Sequence, residues 1–483
     1  MNRRRFLKYA GTTAAVVGAS ALGLKYFLTS KTSKVTQTTT VGPLTIEDLQ
    51  WNPTRTVNSK VYDGTVGFTV DNLNPSDQIT LDFGSIYPSG MPRTAFTSEA
   101  DRTYAFTGTS KKQTFSQGIV NLIGGRQYRA LVTVKDKNGK ETVNYIDTPY
   151  VREFENIAKD AGILIGASYY TWLGNPWYKL SPSVMPLLGL YSTSNPLVAS
   201  KHIDWATGLG IHHFYCAYTP GTQDGGITAA DKRVETLINN SLIGDIKFAM
   251  LYETGERLAG ETEDLSKVNL NEPSTFSTIQ SDFAHIAKKY FSHPSYLIVD
   301  GRPVVYIYAT GAIKSDIVAP FAKLRQYLKD LGFEPYLIGD EIEIRWGERI
   351  NSNRLKAFDA VTGYTLPPTG NYVDRSPSAV RAEYSRWQSA AHSVGVEIVP
   401  SVSPGFDDRY LVQIGYRAKS YGYVPRSIEY FKTNLQIAKE FVDKSKLLKI
   451  STWNEWEENT NIEPTVEEGY GYLQTLRDTL AGQ

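Results

Sequence analysis

The chain has 483 residues, which is longer than one typical domain and predicts two or three domains. Hydrophobic residues make up 41% of it and charged residues 21%, a globular composition that excludes disorder or a coiled coil as its main character. The 51 Lys and Arg residues balance the 50 Asp and Glu residues, and Cys216 is the single cysteine, so we expect no nucleic-acid partner, no intrachain disulfide and no cysteine-clustered zinc site.

Residues 1–28 predict an export signal or a membrane anchor. A basic start precedes an apolar, small-residue stretch from Ala10 to Leu24, which is the order found in export signals. The basic start resembles the twin-arginine signal, which exports folded proteins, at Arg3, Arg4, Phe6, Leu7 and Lys8. The apolar stretch is short for a membrane span, so the sequence leaves open whether the segment is cleaved or stays as an anchor. Either way, we expect the body of the protein in the periplasm, outside the cell or anchored on its surface, with no other membrane contact.

Residues 29–41 are rich in Ser, Thr and Lys and predict a flexible linker. Residues 42–150 then show short alternating segments separated by turn sequences, which predict a small all-β sandwich. The stretch from Gly124 to Gly139 resembles the late strands of a fibronectin type III or immunoglobulin-like domain. We expect a spacer or packing module, with carbohydrate or cell-surface binding as the alternative. The predicted strands include Thr65–Val70, Gln78–Phe83, Gln113–Ile119 and Tyr128–Lys135.

Residues 160–483 alternate β-rich segments with amphipathic helical segments, and this order predicts an α/β fold of the (β/α)8 TIM barrel type. An open doubly wound sheet is the competing fold, but its Gly-rich phosphate turn is absent near the start. The eight predicted strands are Ile163–Ser168, His212–Ala217, Lys247–Tyr252, Pro303–Tyr308, Pro335–Gly339, Phe358–Gly363, Val396–Ser401 and Leu448–Trp453.

Chemistry in such a barrel lies at the carboxyl ends of the strands, so residues at those ends are candidate site residues. Aromatic rings stack on sugars and carboxyl groups transfer protons, so their accumulation there favours enzymes that act on glycosidic bonds. A metal or phosphate site would need His, tight carboxylate sets, or Lys, Arg and Gly, so we predict no metal and no cofactor. The candidate substrate-binding residues from the first six strands are Tyr169, Tyr170, Trp172, Tyr252, Glu253, Asp340 and Tyr364.

The segment after the eighth predicted strand is the most informative. From Trp453 to Pro464 it reads Trp-Asn-Glu-Trp-Glu-Glu-Asn-Thr-Asn-Ile-Glu-Pro. This resembles the signature Asn-Glu-Trp-x-Glu-Gly-Thr-x-Ile-Glu-Pro of glycoside hydrolase family 99 and its relatives. The resemblance covers roughly residues 160–480, and its further blocks are Tyr169–Trp172, Pro186–Tyr191, His202–Trp205, Gly210–Ile211 and Pro404–Asp408.

The resemblance implies a retaining, endo-acting enzyme on α-mannose-type linkages of an oligo- or polysaccharide. It places the catalytic pair at Glu455 and Glu458, with Asn454 and Trp456 as sugar contacts. Glu455 would take the proton of the sugar 2-hydroxyl, which attacks the anomeric carbon. Glu458 would protonate the leaving oxygen and then activate water. Such a transition state needs an acid at the leaving group and a base opposite, although a carboxylate nucleophile is the alternative mechanism.

Three departures from the family pattern leave the substrate open. Thr171 stands where Pro is usual, Asn459 where Gly is usual, and Ala217–Gly221 where a Trp-Trp-Gly stretch is common. Two other functions compete with an exported glycoside hydrolase: a glycan-binding surface protein on a degenerate barrel, and a glycosyltransferase-like protein of polysaccharide biosynthesis. The intact glutamate pair favours the hydrolase, and we expect it to act as a monomer.

Overall fold

In a computed structural model of the chain, the described residues are 44–86, 102–173, 184–221, 225–260, 264–341, 350–364 and 375–481. The chain divides into two compact units, with the boundary between Glu155 and Asn156. The predicted signal and linker, residues 1–41, lie outside the described residues. None of the described helices combines the length and the apolar character needed to cross a membrane.

The N-terminal unit contains two antiparallel sheets. Its strands are β1 Thr45–Val57, β2 Lys60–Asp71, β3 Gln78–Ile86, β4 Arg102–Phe106, β5 Lys112–Ile119, β6 Gln127–Lys135 and β7 Glu141–Asp147. One sheet has the strand order β1-β2-β5 and the other β4-β3-β6-β7. Every second residue of β6 is buried, from Tyr128 through Ala130 and Val132 to Val134, as a strand with one face toward a core requires. The described part of the unit therefore forms antiparallel sheets, and the small all-β sandwich stays a prediction.

The start of β6 carries a contact that is typical of immunoglobulin-like sandwiches. The Tyr128 hydroxyl donates to the Ile123 carbonyl oxygen at 2.8 Å and accepts from the Ile123 N–H at 3.0 Å. A tyrosine bonded to the backbone a few residues upstream recurs in that architecture as the tyrosine corner. This contact supports the fibronectin type III-like interpretation, which stays a prediction.

The C-terminal unit contains a curled sheet of parallel strands. These are β8 Leu164–Tyr169, β9 His213–Tyr218, β10 Lys247–Tyr252, β12 Arg302–Ile307, β13 Tyr336–Asp340, β14 Ala360–Thr362, β15 Glu397–Ile398, β16 Ser401–Val402 and β19 Leu447–Ile450. Parallel pairs run from β8 through β9, β10, β12, β13 and β14 to β15, and from β16 through β19 back to β8. Only Val399 and Pro400 separate β15 from β16. The first and last strands in the order of paired strands are therefore consecutive in the sequence. This curled sheet agrees with the predicted TIM-type barrel.

Each of the eight predicted strands overlaps an observed one. The bounds of β10 are those predicted, and most others differ by a residue or two. The seventh predicted strand, Val396–Ser401, is observed as the two short strands β15 and β16. Pro400 lies in the interruption, and a proline has no N–H to donate to a strand ladder.

Helices and short hairpins connect these strands. Asn195 caps the first helix by accepting from the Leu197 N–H at 3.0 Å, with Pro196 at the first helical position. Three short antiparallel strands, β11 Ile298–Val299, β17 Phe406–Asp407 and β18 Tyr423–Val424, complete the strands. The helices are α1 Pro196–Gly208, α2 Gly226–Ile238, α3 Gly255–Ala259, α4 Pro273–Tyr290, α5 Val318–Asp330, α6 Ser352–Leu355, α7 Pro377–His392, α8 Arg409–Gln413, α9 Ile428–Lys439 and α10 Gly471–Ala481.

The barrel strands are buried along most of their length. All six residues of β9 and all four of β19 are buried, which is typical of parallel strands covered on both faces. Because neighbouring strands run in the same direction, their carboxyl ends meet at one end of the sheet, which we call the mouth. The chain therefore gathers the residues that follow each strand at a single place.

Candidate active site

The mouth brings together side chains from separate strands. Burial raises the pKa of the Tyr170 hydroxyl well above its usual value, and the nearby charges of Glu253, Glu455 and Glu458 raise it further. Tyr170 follows β8, Glu253 follows β10, and the two other glutamates follow β19. Four of the predicted site residues therefore lie close enough to interact electrostatically.

Two more tyrosines, Tyr308 and Tyr364, complete this group. Their ring centroids are 5.8 Å apart, and the planes are nearly perpendicular. Burial raises the pKa of the Tyr364 hydroxyl well above its usual value, with Glu458, Tyr170 and Glu455 as further causes. The hydroxyls of Tyr170 and Tyr364 thus stay protonated at neutral pH, when they can donate hydrogen bonds to a sugar or a carboxylate.

Glu458 accepts hydrogen bonds on both of its carboxylate oxygens. Tyr364 donates its hydroxyl to Oε2 at 2.7 Å, and Arg417 donates Nη2 to Oε1. Arg417 also donates Nη1 to Oδ2 of Asp408 at 2.7 Å, so one guanidinium joins two carboxylates. The Glu458 side chain is 13% exposed and Asp408 is fully buried. Glu458 is thus fixed in place as a hydrogen-bond acceptor that a small molecule can still reach.

Glu455 lies on a compact loop that closes between Thr452 and Thr460. The Thr452 N–H donates to the Thr460 carbonyl oxygen at 2.6 Å, and the two hydroxyls are 3.1 Å apart. Within the loop, the Glu455 N–H donates to the Thr452 hydroxyl at 2.9 Å. Glu455 is 8% exposed. Both glutamates of the predicted pair are therefore presented from one internally bonded loop.

A buried polar cluster supports this loop from below. Glu463 accepts from the Tyr191 hydroxyl at 2.5 Å and from the Trp456 indole N–H at 3.3 Å, and its other oxygen lies 3.1 Å from His202 Nε2. The Tyr169 hydroxyl lies 3.1 Å from His202 Nδ1. The side chains of His202 and Glu463 are fully buried. The cluster ties the end of this loop to α1 and β8.

Four predicted sugar contacts have structural partners instead. Tyr169 and Trp456 belong to the buried cluster around Glu463. The Asn454 amide makes two hydrogen bonds, of 2.7 and 2.9 Å, with the backbone of Tyr170. Tyr252 donates its hydroxyl to Asp282 of α4 at 2.8 Å, which places it on the helix side of β10. Direct sugar contact does not fit the placement of these side chains, because each is almost fully buried and bonded to protein.

Two other predicted contacts lie within the mouth group or just beneath it. Trp172 is half-buried, with its ring centroid 4.5 Å from that of Tyr170. Asp340 is fully buried and accepts from the Tyr306 hydroxyl at 3.3 Å and the Ala309 N–H at 3.2 Å. Burial lowers the pKa of nearby Lys449 to about 7, whereas the charge of Asp340 acts in the opposite direction. Asp340 therefore supports the buried groups just beneath the mouth.

Asn459 departs from the usual glycine of the resembled signature without changing the backbone. Its φ angle is 54°, in the left-handed region that glycine adopts freely and that asparagine tolerates better than most residues. Its amide also donates to the Asp407 carbonyl oxygen at 2.9 Å. The substitution therefore keeps the turn that presents Glu458.

Sequence reasoning missed Tyr308 and Arg417. Tyr308 follows β12, so the same rule that selected the other strand ends would have found it. Arg417 lies beyond α8 in the long connection after the seventh strand, which carries no periodic pattern. Its contact with Glu458 spans 41 residues, a distance in sequence that no local signal reveals.

The described residues contain no group of three or more His, Cys, Asp or Glu side chains arranged to hold a metal ion.

Comparison with protein families gives one match over most of the C-terminal unit. A family model described as glycosyltransferase WbsX matches residues 181–476. The uncharacterized protein WxcX of Xanthomonas campestris pv. campestris is 25% identical over an alignment of 222 residues, and the match covers 41% of this chain and 29% of that protein. The match thus spans less than a third of the length of this relative.

Solved structures show a similar fold. A glycoside hydrolase-like protein is 24% identical, with a TM-score of 0.55 over 66% of this chain and 94% of its own. The glycoside hydrolase family 99 endo-α-mannosidase of Bacteroides thetaiotaomicron, solved with bis-tris-propane, is 18% identical, with a TM-score of 0.52 over 67% of this chain and 98% of its own. At these identities the likeness establishes the glycoside hydrolase-like fold of the C-terminal unit.

Proposed function

The chain belongs to the glycosyltransferase WbsX family, and we propose that it is a glycan-active enzyme that cleaves α-mannoside-type bonds with retention. The observation that carries this proposal is the pair Glu455 and Glu458 on one bonded loop at the mouth, surrounded by the hydroxyls of Tyr170, Tyr308 and Tyr364. The glycoside hydrolase-like fold supports it, because enzymes of this fold act at the carboxyl ends of their strands.

The proposed reaction needs a base and an acid. Glu455 takes the proton of the 2-hydroxyl of the sugar, whose oxygen attacks the anomeric carbon while the glycosidic bond breaks. Glu458 gives a proton to the leaving oxygen. It later takes a proton from water, which opens the strained ring that the 2-oxygen has formed with the anomeric carbon. Glu455 then returns its proton to the 2-oxygen, so that retained sugar and free enzyme result. Two displacements at one carbon give net retention.

The contacts of Glu458 fit this cycle. In the free enzyme, hydrogen bonds from Tyr364 and Arg417 hold the Glu458 side chain in place. In the proposed reaction, the leaving oxygen binds beside this carboxyl group. Glu458 must take up a proton before it can act as an acid. When it does, Arg417 keeps a full partner in Asp408, so no buried charge is left unpaired.

The charges at the mouth support an uncharged sugar as the substrate. Among the described side chains there, Glu253, Glu455 and Glu458 contribute negative charge, and Arg417 is already shared between two carboxylates. Such a site stabilises the positive charge that develops on a sugar ring as the glycosidic bond breaks. A pyrophosphate group would instead need unshared Arg or Lys side chains or a helix amino terminus.

Glycosyl transfer in polysaccharide assembly is the second candidate function, and the description of the family favours it. A transferase of this kind would take its sugar from an activated donor. We propose export through the twin-arginine segment for the hydrolase, because its glycan substrates lie outside the cytoplasm. The two candidates differ in the donor they consume.

The distinguishing experiment incubates the protein with α-mannan and cell-envelope glycans in one set of tubes and with nucleotide sugars in another. We expect new reducing ends from a glycan in the first set, and none from the Glu455→Gln/Glu458→Gln variant. Release of a nucleoside diphosphate in the second set, without cleavage in the first, would replace the hydrolase with the transferase.

A further inference from the structure

An exposed aromatic ring lies beside the proposed catalytic pair. Tyr421 is 64% exposed, whereas the other tyrosines of the mouth are half-buried or buried. It precedes β18, in the connection after the seventh barrel strand, and no part of the proposed reaction uses it. Exposing an apolar ring face to water costs free energy, and a ligand stacked on that face would recover it.

The backbone around Tyr421 is fixed. The Tyr421 N–H donates to Oδ2 of Asp408 at 3.0 Å, and Ser420 donates its hydroxyl to Oδ1 of the same carboxylate. The Gly422 N–H donates to the Ser420 hydroxyl at 3.1 Å. Because Asp408 is fully buried, these bonds anchor the backbone at Tyr421 to the interior. Backbone that is already fixed loses little conformational entropy when a ligand binds.

Arg417 connects this ring to Glu458. The guanidinium carbon lies 4.8 Å from the centroid of the Tyr421 ring, while Nη2 of the same group donates to Glu458. Ring and carboxylate therefore contact the same guanidinium, so one side chain separates the ring from Glu458. In the proposed reaction, Glu458 serves the leaving oxygen and then the incoming hydroxyl.

We propose that Tyr421 forms a sugar-binding subsite on the leaving-group side of Glu458, where a second sugar is held as the acceptor for glycosyl transfer. The inference rests on the proposed function and adds a substrate class to it, an acceptor sugar in place of water. Stacking suits this occupant because a sugar ring has an apolar face that matches the Tyr421 ring, and hydroxyls that stay in water at its rim.

The transfer step balances without a further reagent. A hydroxyl of the stacked sugar attacks the anomeric carbon of the intermediate and gives its proton to Glu458. The bond between the anomeric carbon and the 2-oxygen breaks, and Glu455 returns a proton to the 2-oxygen. One glycosidic bond has broken and one has formed, and both carboxyl groups are as they began. The subsite gives a glycosidase fold a route to polysaccharide assembly that uses no nucleotide sugar.

The test uses the full chain, α-mannobiosyl fluoride as donor and methyl α-mannoside as acceptor, with products separated by mass spectrometry. Tyr421→Ala should lower the ratio of transfer to hydrolysis about tenfold, the effect of removing one well-placed aromatic contact. The ratio is taken per fluoride released, so a change in the first step, which precedes the acceptor, does not alter it. Tyr421→Phe should keep the wild-type ratio, since the ring remains.

Tyr423→Ala is the matched control. Tyr423 is on the same hairpin and is also exposed, but its ring contacts Arg409, which pairs with Asp407 instead of Glu458. This variant should keep the wild-type ratio. A wild type that releases fluoride without forming transfer product, or a Tyr421→Ala ratio equal to that of the wild type, overturns the subsite alone. A wild type that releases no fluoride overturns the proposed function and the subsite with it.

Discussion

Glu455→Gln should lower turnover of natural glycans and of activated glycosyl fluorides alike, by about 10² to 10⁴. The amide keeps the shape of the side chain and the loop bonds of the Glu455 backbone, but it cannot take a proton from the sugar 2-hydroxyl. A better leaving group does not replace that base, so the fluoride gains nothing. Initial rates of reducing-end formation and of fluoride release measure both effects.

Glu458→Gln should separate the two substrates. It removes the proton donor, so cleavage of a natural glycan should fall by about 10² to 10⁴. Fluoride leaves without a proton, so the first step on the activated donor should be affected much less. The glutamine side chain has the same length as glutamate and keeps one oxygen, which can still accept a hydrogen bond from the Tyr364 hydroxyl.

Glu457→Gln is the matched control for both glutamate variants, since Glu457 lies in the same loop, is half-buried and has no role in the proposed reaction. It should retain near wild-type rates on both substrates. If Glu455→Gln keeps most of its activity on the fluoride, the base has been assigned to the wrong residue.

Glu463→Ala should lower the free energy of unfolding of the barrel by about 3 kcal/mol or more. The substitution leaves three buried groups, on Tyr191, His202 and Trp456, without their shared carboxylate. Each buried polar group that loses its partner costs about 1 to 3 kcal/mol. Urea denaturation followed by tryptophan fluorescence measures the change.

Glu467→Ala is the control for this stability measurement. Glu467 is exposed, and it accepts from the Met185 N–H at 3.0 Å. Its removal should change the free energy of unfolding by about 0.5 kcal/mol or less. Equal effects of the two variants would mean that the Glu463 cluster does not support the loop.

The strands of the barrel could be predicted from the sequence because each is a short apolar segment between helical segments. Their exact ends could not, because terminal pairing depends on the neighbouring strand. The break at Pro400 was visible in the sequence, yet it falls inside the otherwise continuous segment Val396–Ser401.

Prediction was most successful for residues that follow a strand, and less so for residues within a strand, whose side chains point either into the barrel or toward the helices. Glu253 follows β10 and contributes its charge to the mouth, whereas the preceding Tyr252 points to Asp282 on the helix side. Successive residues of a strand face opposite sides, and a strand buried on both faces gives no pattern that tells them apart. Arg417 and Tyr421 could not be predicted, because only tertiary contacts place the chain segment that carries them next to Glu458.

The anomeric configuration of the first sugar released from α-mannan by the wild-type protein tests the proposed retaining cleavage most directly. Proton NMR distinguishes the two anomers before they interconvert in solution. We expect the α anomer to form first and the β anomer to grow in later by mutarotation. A β anomer that forms first would mean a single displacement by water, and it would contradict the roles assigned to Glu455 and Glu458.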